Sequence, residues 1–581
     1  MVDGEIIAAV QEERFSGLKC DYGYPQKSID ACLNTAGVDP SQIDVVALAS
    51  HNWNPVLTKI KRNANFTVDD WVKEQHDFWK PTLFENKVVN YYNIYKNRKD
   101  FSYDNTYSMD HLLNGYMEKA EMEQMAAVRK ETVARLLGLP AQRIVTVTHE
   151  DCHAFYAYYG SHIRGEALVL TSEGIGDFSN GTVSVFAERE NRLLAHSSDN
   201  HLGHIYQYIT LLLGMKPSQH EYKVMGLAPY ANTKEQERSY CIFKDILNVD
   251  GLNITWNKKP SDLYFHFRDA FEGHRFDGIA GGLQQFVEVL LCDWVRACIE
   301  ETDIHRVCFS GGVAQNIKAN MQILNLSEIE DFFVCPAAGD TSLPLGACYY
   351  VMCKFLKENG GSMDMLQPLK HAYLGPEFST GDVETAIKAG NIGDKYSAVS
   401  GVTPDVVANE LASGKIIARC SGRMEFGLRA LGNRSIMADP RHYNTIRKIN
   451  DAIKFRDFWM PFTPSILEER EKDYIVNPKG VKSSFMTLAF DSTELARRDL
   501  VAALHPADLT VRPQVVSKQV NQEYYQIIKE FENITGVGGI LNTSLNLHGE
   551  PIVLGPKEAL YTLKNSELDG LLMNDILIQR C

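Results

Sequence analysis

The chain has 581 residues, a length that predicts two to four domains, and its 44% hydrophobic content supplies large cores. A formal net charge of −15, from 74 acidic and 59 basic residues, argues against general binding to nucleic acid or to an anionic membrane. Twelve cysteines without a C-x-x-C pair, no apolar run near the ~18 residues of a membrane span and no signal-peptide pattern predict a soluble cytoplasmic protein with free thiols.

The first stretch, "MVDGEIIAAVQEERF", places an Asp3-Gly4 hairpin turn before the strand-like "EIIAAV". Such a turn joins two strands and the first is missing, which predicts either further sequence upstream of Met1 or an unusual sheet edge. Strand and helix patterns then alternate to about residue 356, an α/β arrangement. A mainly helical insert, roughly 67–137, interrupts them. "THEDCHAFYAYYG" follows a strand-like run and reads as the start of a helix, with Glu150 and Asp151 in its first turn. His149 and His153, at i and i+4, share one face as two metal ligands require; capping or core histidines are the plainer reading of so short a motif. "LTSEGIGD" puts Glu173 at a strand end with Asp177 nearby, and either carboxylate can complete an N/O site. Lys223 in "EYKVMGLAPYA" reads as part of a surface ion pair before a turn.

"FSGGVAQN" places Gly311 and Gly312 between a strand and a helix, where backbone N–H groups can cradle phosphate; the motif is neither a Walker loop nor a G-x-G-x-x-G fingerprint. "CPAAGDTSLPLGA" carries Asp340 at a second strand-to-helix turn, as a third metal ligand, an orienting group for Mg²⁺ or an N-cap. A set of His and carboxylate suits Fe²⁺, Mn²⁺ or Zn²⁺, and spacing does not choose among them. "KENGGSMDMLQPLK" marks a linker over residues 357–371. Beyond it a second α/β segment, 372–581, includes strand-like "GKIIARCSG", "SSFMTLAFD" and "VGGILNTSLN".

That second segment holds a local inversion of charge. Residues 415–456 contain ten Lys or Arg and three Asp or Glu, with the arginines of "SGRMEFGLRALGNRSIMADPRH" set among glycines and apolar residues. Arginine forks bind carboxylate and phosphate in bidentate fashion, so the pattern predicts a compact anion such as a nucleotide or acyl phosphate rather than a solvated basic face. "HPADLTVRPQ" and "LNTSLNLHGEPIV" add hydrogen-bonding side chains for a fixed ligand, although turn formation explains them as well.

The ordered series "VDGEIIAAVQEERFSGLK", "THEDCHA", "EYKVMGLAPYA", "SGGVAQN", "AAGDTSLPLGA", "GRMEFGLRALGNRSI", "MPFTPSIL" and "LNTSLNLHGEPIV" resembles the O-carbamoyltransferases of the NodU/CmcH type along nearly the whole chain. The resemblance implies an actin-like ATPase domain over 1–356 and a YrdC-like domain over 372–581. It implies that the second domain forms carbamoyladenylate from carbamoyl phosphate and ATP with Mg²⁺, releasing pyrophosphate and phosphate. The first would pass the carbamoyl group to a hydroxyl of a small natural product, with an iron-type metal (Fe²⁺) at its site. Carried over by position, His149, His153, Asp340 and Glu173 fall on metal positions, Lys19 and Lys223 on basic positions, and Gly311, Gly312, Asn316 and Asn320 on the nucleotide loop. Arg423, Arg429, Arg434, Lys454, Arg456, His505, Arg512, Asn542 and Ser544 fall on the carbamoyl phosphate and ATP site. Glu173, Leu428 and Met460 stand where the family usually has Asp, Pro and Arg. The expected partner is a small-molecule alcohol, with no nucleic acid and no membrane, and a homodimer is compatible with the family. A threonylcarbamoyl-adenylate enzyme acting on tRNA and a non-catalytic actin-like regulator are the competing readings. The acidic balance and motif order oppose the first of these, the arginine-rich second segment the other.

Overall fold

The computed structural model describes residues 1–53, 60, 66–95, 106–108, 119–188 and 190–581. The chain forms two compact units, one of Met1–Ile6 with Leu18–Pro368, the other of Ile7–Gly17 with Leu369–Cys581. The boundary thus lies inside the expected 357–371 linker, whose first residues instead complete a helix, Leu343–Glu358. The unexpected feature is the start, where Ile7–Gly17 belongs with the C-terminal segment. The Asp3-Gly4 turn forms, with φ of 47° and 85° and a Val2–Glu5 bridge, but "EIIAAV" is not a strand. A chain that changes units at Ile7 cannot continue in one ladder.

In the first unit, β1 (Val46–Ala49) pairs in parallel with β2 (Ile144–Val147). A mixed sheet has β3 (Ala167–Ser172) at its centre. β4 (Gly181–Phe186) pairs antiparallel with β3, and β5 (Asn191–Ser197) antiparallel with β4. A small hairpin, β6 (Leu247–Asp250) and β7 (Asn253–Trp256), follows. β8 (Arg306–Ser310) and β9 (Asp331–Val334) then lie parallel to β3, giving the order β5-β4-β3-β8-β9. The central strands "ALVLTS" and "RVCFS" are almost wholly buried, as unbroken apolar runs in parallel strands should be. The insert is helical over Val68–Glu74, Gln75–Trp79, Lys80–Phe84, Tyr91–Tyr95 and Lys119–Leu137. Part of it closes its own small core of Phe66, Phe78, Tyr91 and Tyr95.

The second unit is built on an eight-stranded sheet. Its strands are β10 (Tyr396–Val399), β11 (Ile417–Cys420), β12 (Arg434–Ala438), β13 (Thr463–Leu467), β16 (Gln514–Val516), β17 (Gly539–Ser544), β18 (Gly570–Met573) and β19 (Ile576–Arg580), in the order β10-β19-β18-β11-β12-β17-β13-β16. Alternation splits its faces. Ala418, Cys420, Ile436, Ala438, Leu541 and Leu571 enter one hydrophobic core. Register puts Arg419, Ser435 and Ser544 together on the opposite face, with Asn542, Thr463, Ser465 and Gln514 beyond them. The expected strand "SSFMTLAFD" is absent apart from a Phe490–Val511 bridge and the short pair β14 (Ile475–Val476) and β15 (Asp491–Ser492). Met486, with φ of 59°, breaks its extended path.

The helices that flank the first unit's site pack closely. A Cβ on Gly346, in Leu343–Glu358, would overlap the carbonyl oxygen of Cys152 in the helix His149–Tyr159. Gly346→Val should therefore force the two helices apart and destabilise the protein by about 1–3 kcal/mol, read as a lower melting temperature.

Candidate metal centre and anion site

Three elements converge in the first unit, each just beyond the carboxyl end of a parallel strand, where open α/β sheets place ligands. His149 and His153 follow β2, Glu173 follows β3 and Asp340 follows β9. Ligand atoms of these four residues all lie within 4.8 Å of one another. Nε2 of His153 stands 3.2 Å from Nε2 of His149 and 2.6 Å from Oε1 of Glu173. Oδ1 of Asp340 lies 3.5 Å from the His149 nitrogen. Glu173 and the two histidines are buried, while the Asp340 side chain is 72% exposed and forms the open side.

Local chemistry sets these orientations. Thr148 caps the helix, its hydroxyl oxygen accepting the Asp151 N–H at 3.1 Å. The carboxylate of Asp177 accepts the N–H groups of His149 (2.8 Å), His51 and Asn52 (both 2.7 Å) and the Ser50 hydroxyl (2.7 Å). Asp177 is therefore an anchor for the helix start rather than a member of the cluster. Nδ1 of His153 lies 3.2 Å from the Ser310 hydroxyl, which fixes the ring as a supporting partner does for a metal ligand. Gly312 donates its N–H to Oε1 of Glu173 at 2.6 Å, and Gly311 donates to the Ala338 carbonyl at 2.9 Å. These two amides of the glycine turn thus serve the carboxylate and the backbone rather than a phosphate.

Burial pushes the His153 imidazole down to about 4. Burial, then the neighbouring Asp340 carboxylate, push Glu173 up. His153 and Glu173 are thus both pushed toward their uncharged forms. A divalent cation between the four donors would keep Glu173 ionised and both imidazoles neutral, the states in which they ligate. Two imidazole nitrogens and two carboxylate oxygens converging within one coordination sphere fit such an ion, and the set suits a transition metal.

The other expected residues of this unit divide. Asn316 caps the helix Ile317–Asn325 and exchanges two 3.0 Å hydrogen bonds with Gln284. Asn320 is buried and donates to the Ala314 carbonyl at 2.8 Å. Both hold the loop's shape. Lys223 is half-buried in the helix Glu221–Leu227. Lys19 is also half-buried, and its charge helps lower the Lys216 ammonium, whose larger causes are burial and an opposing effect of Cys20. One residue, Tyr22, escaped the sequence reading, and Glu221, read there with Lys223 as a surface ion pair, is more enclosed than that reading expects. Tyr22 is raised by burial, then by the charges of Cys20, Asp340 and Glu221. Glu221 is pushed up to about 7 by burial.

In the second unit the expected arginines also divide. Arg434 is buried and donates from Nε to the Leu554 carbonyl (2.9 Å) and from Nη1 to those of Asn433 (2.9 Å), Ser421 and Gly422 (both 3.2 Å). Arg423 donates to the carbonyls of Ile7 and Leu374 (both 2.8 Å) and Gly375 (3.3 Å). These two guanidinium groups tie backbone together. Lys454, buried, donates to the Ser544 carbonyl (2.5 Å) and hydroxyl (3.3 Å) and to Oδ1 of Asn546 (2.8 Å). Asn542 donates to the Ala430 carbonyl (3.0 Å) and Ser465 (2.9 Å), and His505 accepts the Ala507 N–H at 3.2 Å within its own turn.

Arg429 and Arg456 are near enough to Arg512 for their charges to act on it. The Arg512 guanidinium lies well below its ordinary range, through burial first and then the positive charges of Arg429 and Arg456. Arg456 is held by Thr543, whose hydroxyl accepts from Nη2 at 2.9 Å, and lies 4.9 Å over the Phe462 ring. Three cations within electrostatic reach of one another are suited to a multiply charged anion.

Sequence models of the carbamoyltransferase N-terminus and C-terminus match residues 1–349 and 408–580. The chain belongs to the carbamoyltransferase family, within the group typified by the nodulation proteins. Nodulation protein NolNO of Sinorhizobium fredii is 30% identical over 100% of this chain and 78% of its own. Uncharacterised relatives include one from Methanocaldococcus jannaschii, 33% identical over 74% of this chain and 73% of its own. Another, from Synechocystis, is 28% identical over 100% of this chain and 94% of its own. Full-length HypF, solved in a phosphate- and nucleotide-bound form, aligns with 43% of this chain and 44% of its own at 12% identity. Its TM-score of 0.25 carries no argument. No helix of the described residues is long and apolar enough to cross a membrane.

The division of the arginines is open to test. Arg434→Ala leaves several buried carbonyls without donors and should cost about 2–4 kcal/mol in denaturant unfolding, whereas Arg429→Ala should unfold within about 0.5 kcal/mol of the parent.

Proposed function

We propose that this carbamoyltransferase forms carbamoyladenylate in its second unit and transfers the carbamoyl group in its first, to the hydroxyl of a small molecule. The observation that carries the reading is the convergence of Arg429, Arg456 and Arg512. Carbamoyl phosphate and the ATP triphosphate are compact polyanions, and arginine forks bind their oxygens while stabilising charge that moves to the leaving groups. In the balanced sequence, water cleaves carbamoyl phosphate to carbamate and phosphate, and the carbamate oxygen attacks the α-phosphorus of ATP. Pyrophosphate departs as the α-phosphorus–oxygen bond to it breaks, and Mg²⁺ would supply charge neutralisation for it. The polar sheet face of Asn542, Ser465 and Gln514 supports this arrangement by holding the arginine loop in place. An actin-like first unit and a YrdC-like second unit are the folds expected of this division.

In the first unit His149, His153, Glu173 and Asp340 would hold a divalent transition metal, Fe²⁺ being the expectation from the family. Bound there, it would supply Lewis-acid polarisation of an adenylate or carbamoyl oxygen. Lys19 and Lys223 would neutralise phosphate charge. Burial of the cluster on every side but that of Asp340 would limit water, which otherwise hydrolyses a carbamoyladenylate.

Pyrophosphate release from ATP should require carbamoyl phosphate, and Arg429→Ala should slow it by about ten- to a hundredfold through loss of a charge-assisted contact. A rate equal to that of the parent would remove Arg429 from the site. The metal reading has its own test. Elemental analysis should find a transition metal in the purified chain and none in His149→Ala/His153→Ala. That variant should keep carbamoyl phosphate-dependent pyrophosphate release while forming no carbamoylated alcohol. Loss of both half-reactions in a folded variant would defeat the two-site mechanism.

A further inference from the structure

We propose that Arg14 and Gln11, in the N-terminal segment that joins the second unit, are positioning residues that fix the loop at Gly427 and so the placement of Arg429. This rests on the reading of those arginines as an anion site. Both main-chain groups of Gly427, two residues before Arg429, are taken by this segment. Nη2 of Arg14 donates to the Gly427 carbonyl at 2.6 Å, and the Gly427 N–H donates to Oε1 of Gln11 at 3.3 Å. The same Arg14 nitrogen donates to Oε1 of Gln11 at 2.8 Å, closing a three-membered ring of contacts. Arg14 is buried, and its Nη1 pairs with Glu13 at 3.3 Å.

The far side of the loop is fixed separately. Oε1 of the buried Glu425 accepts the N–H groups of Leu431 (2.7 Å), Arg434 (3.1 Å) and Asn433 (3.2 Å). The Leu431 carbonyl accepts from Gln514 and from the Tyr373 hydroxyl, both at 2.7 Å. Only the near side depends on the N-terminal segment. Gly427 has φ of 106°, a conformation other residues avoid and glycine leaves readily. Without the two bonds from Arg14 and Gln11, rotation at Gly427 would move the backbone on which Arg429 stands. Burying a guanidinium is costly, and such a group is kept where it specifies geometry. Here it supplies preorganisation, the arginine being held where the anion will need it before the anion arrives.

The test uses the full chain and inorganic pyrophosphate as probe, with binding measured by calorimetry beside carbamoyl phosphate-dependent pyrophosphate release. Arg14→Ala should weaken pyrophosphate binding by about tenfold and raise KM for carbamoyl phosphate by a similar factor. Arg14→Lys, which keeps the charge but is shorter and has no second nitrogen to pair with Glu13, should fall between. The double variant Arg14→Ala/Arg429→Ala should bind no more weakly than Arg429→Ala, because the first residue acts only through the second. Additive losses in that cycle, or parental affinity in a folded Arg14→Ala, would overturn the proposal. Should Arg14→Ala not fold, Gln11→Ala replaces it in the cycle with the same expected non-additivity. A parent chain that binds pyrophosphate but does not release it from ATP on addition of carbamoyl phosphate refutes the proposed reaction and leaves the positioning cycle decisive. A parent that binds no pyrophosphate overturns the positioning.

Discussion

Glu173 and Asp340 in one unit, and Arg429, Arg456 and Arg512 in the other, are like charges brought together against their mutual repulsion. Nothing in the side chains themselves favours such meetings. Each depends on neighbouring polar groups that fix the backbone on which the charges stand. In the first unit Asp177 gathers three N–H groups, that of His149 among them, and Gly312 donates to Glu173. In the second, Glu425 and Asn542 hold the loop that carries Arg429. The charges that hold the backbone are buried and satisfied. The charges proposed to face a ligand stand on that backbone, Arg456 with Thr543 and the Phe462 ring beside it.

This division gives a physical meaning to the arginine-rich stretch. Arg423 and Arg434 have the same composition and setting as Arg429, yet their donors end on backbone carbonyls. A planar fork with five donors suits either task. An interior guanidinium can stitch three or four carbonyls of an irregular glycine-rich loop, groups that otherwise cost free energy when buried. Arg423 and Arg434 are therefore loop architecture, and the net anion-binding charge is smaller than the sequence count implies.

The first unit shows how strand ends build a site from distant sequence. His149, Glu173 and Asp340 come together because β2, β3 and β9 each end near the same point. Gly346 lets the helix after Asp340 lie against the helix of the two histidines. Membership of the carbamoyltransferase family and a donor set of two imidazoles and two carboxylates are mutually consistent.

Much of this was legible before the structure. The i, i+4 spacing put His149 and His153 on one helical face, and apolar runs marked β3, β8 and β17, because side-chain periodicity is a local property of the chain. The ordered motifs identified the family. Other features are decided by contacts between residues far apart in sequence. The pattern of "SSFMTLAFD" reads as a strand, but a left-handed Met486 overrides it. Asp177 had the same claim on the cluster as Glu173 until the first was taken by backbone N–H groups. The assignment of Ile7–Gly17 to the C-terminal unit was invisible too. Amino-acid type and spacing determine which groups are available for hydrogen bonding and charge. Tertiary structure alone decides which of them the backbone consumes and which remain for a ligand, because that depends on the unpaired carbonyls and amides each side chain meets.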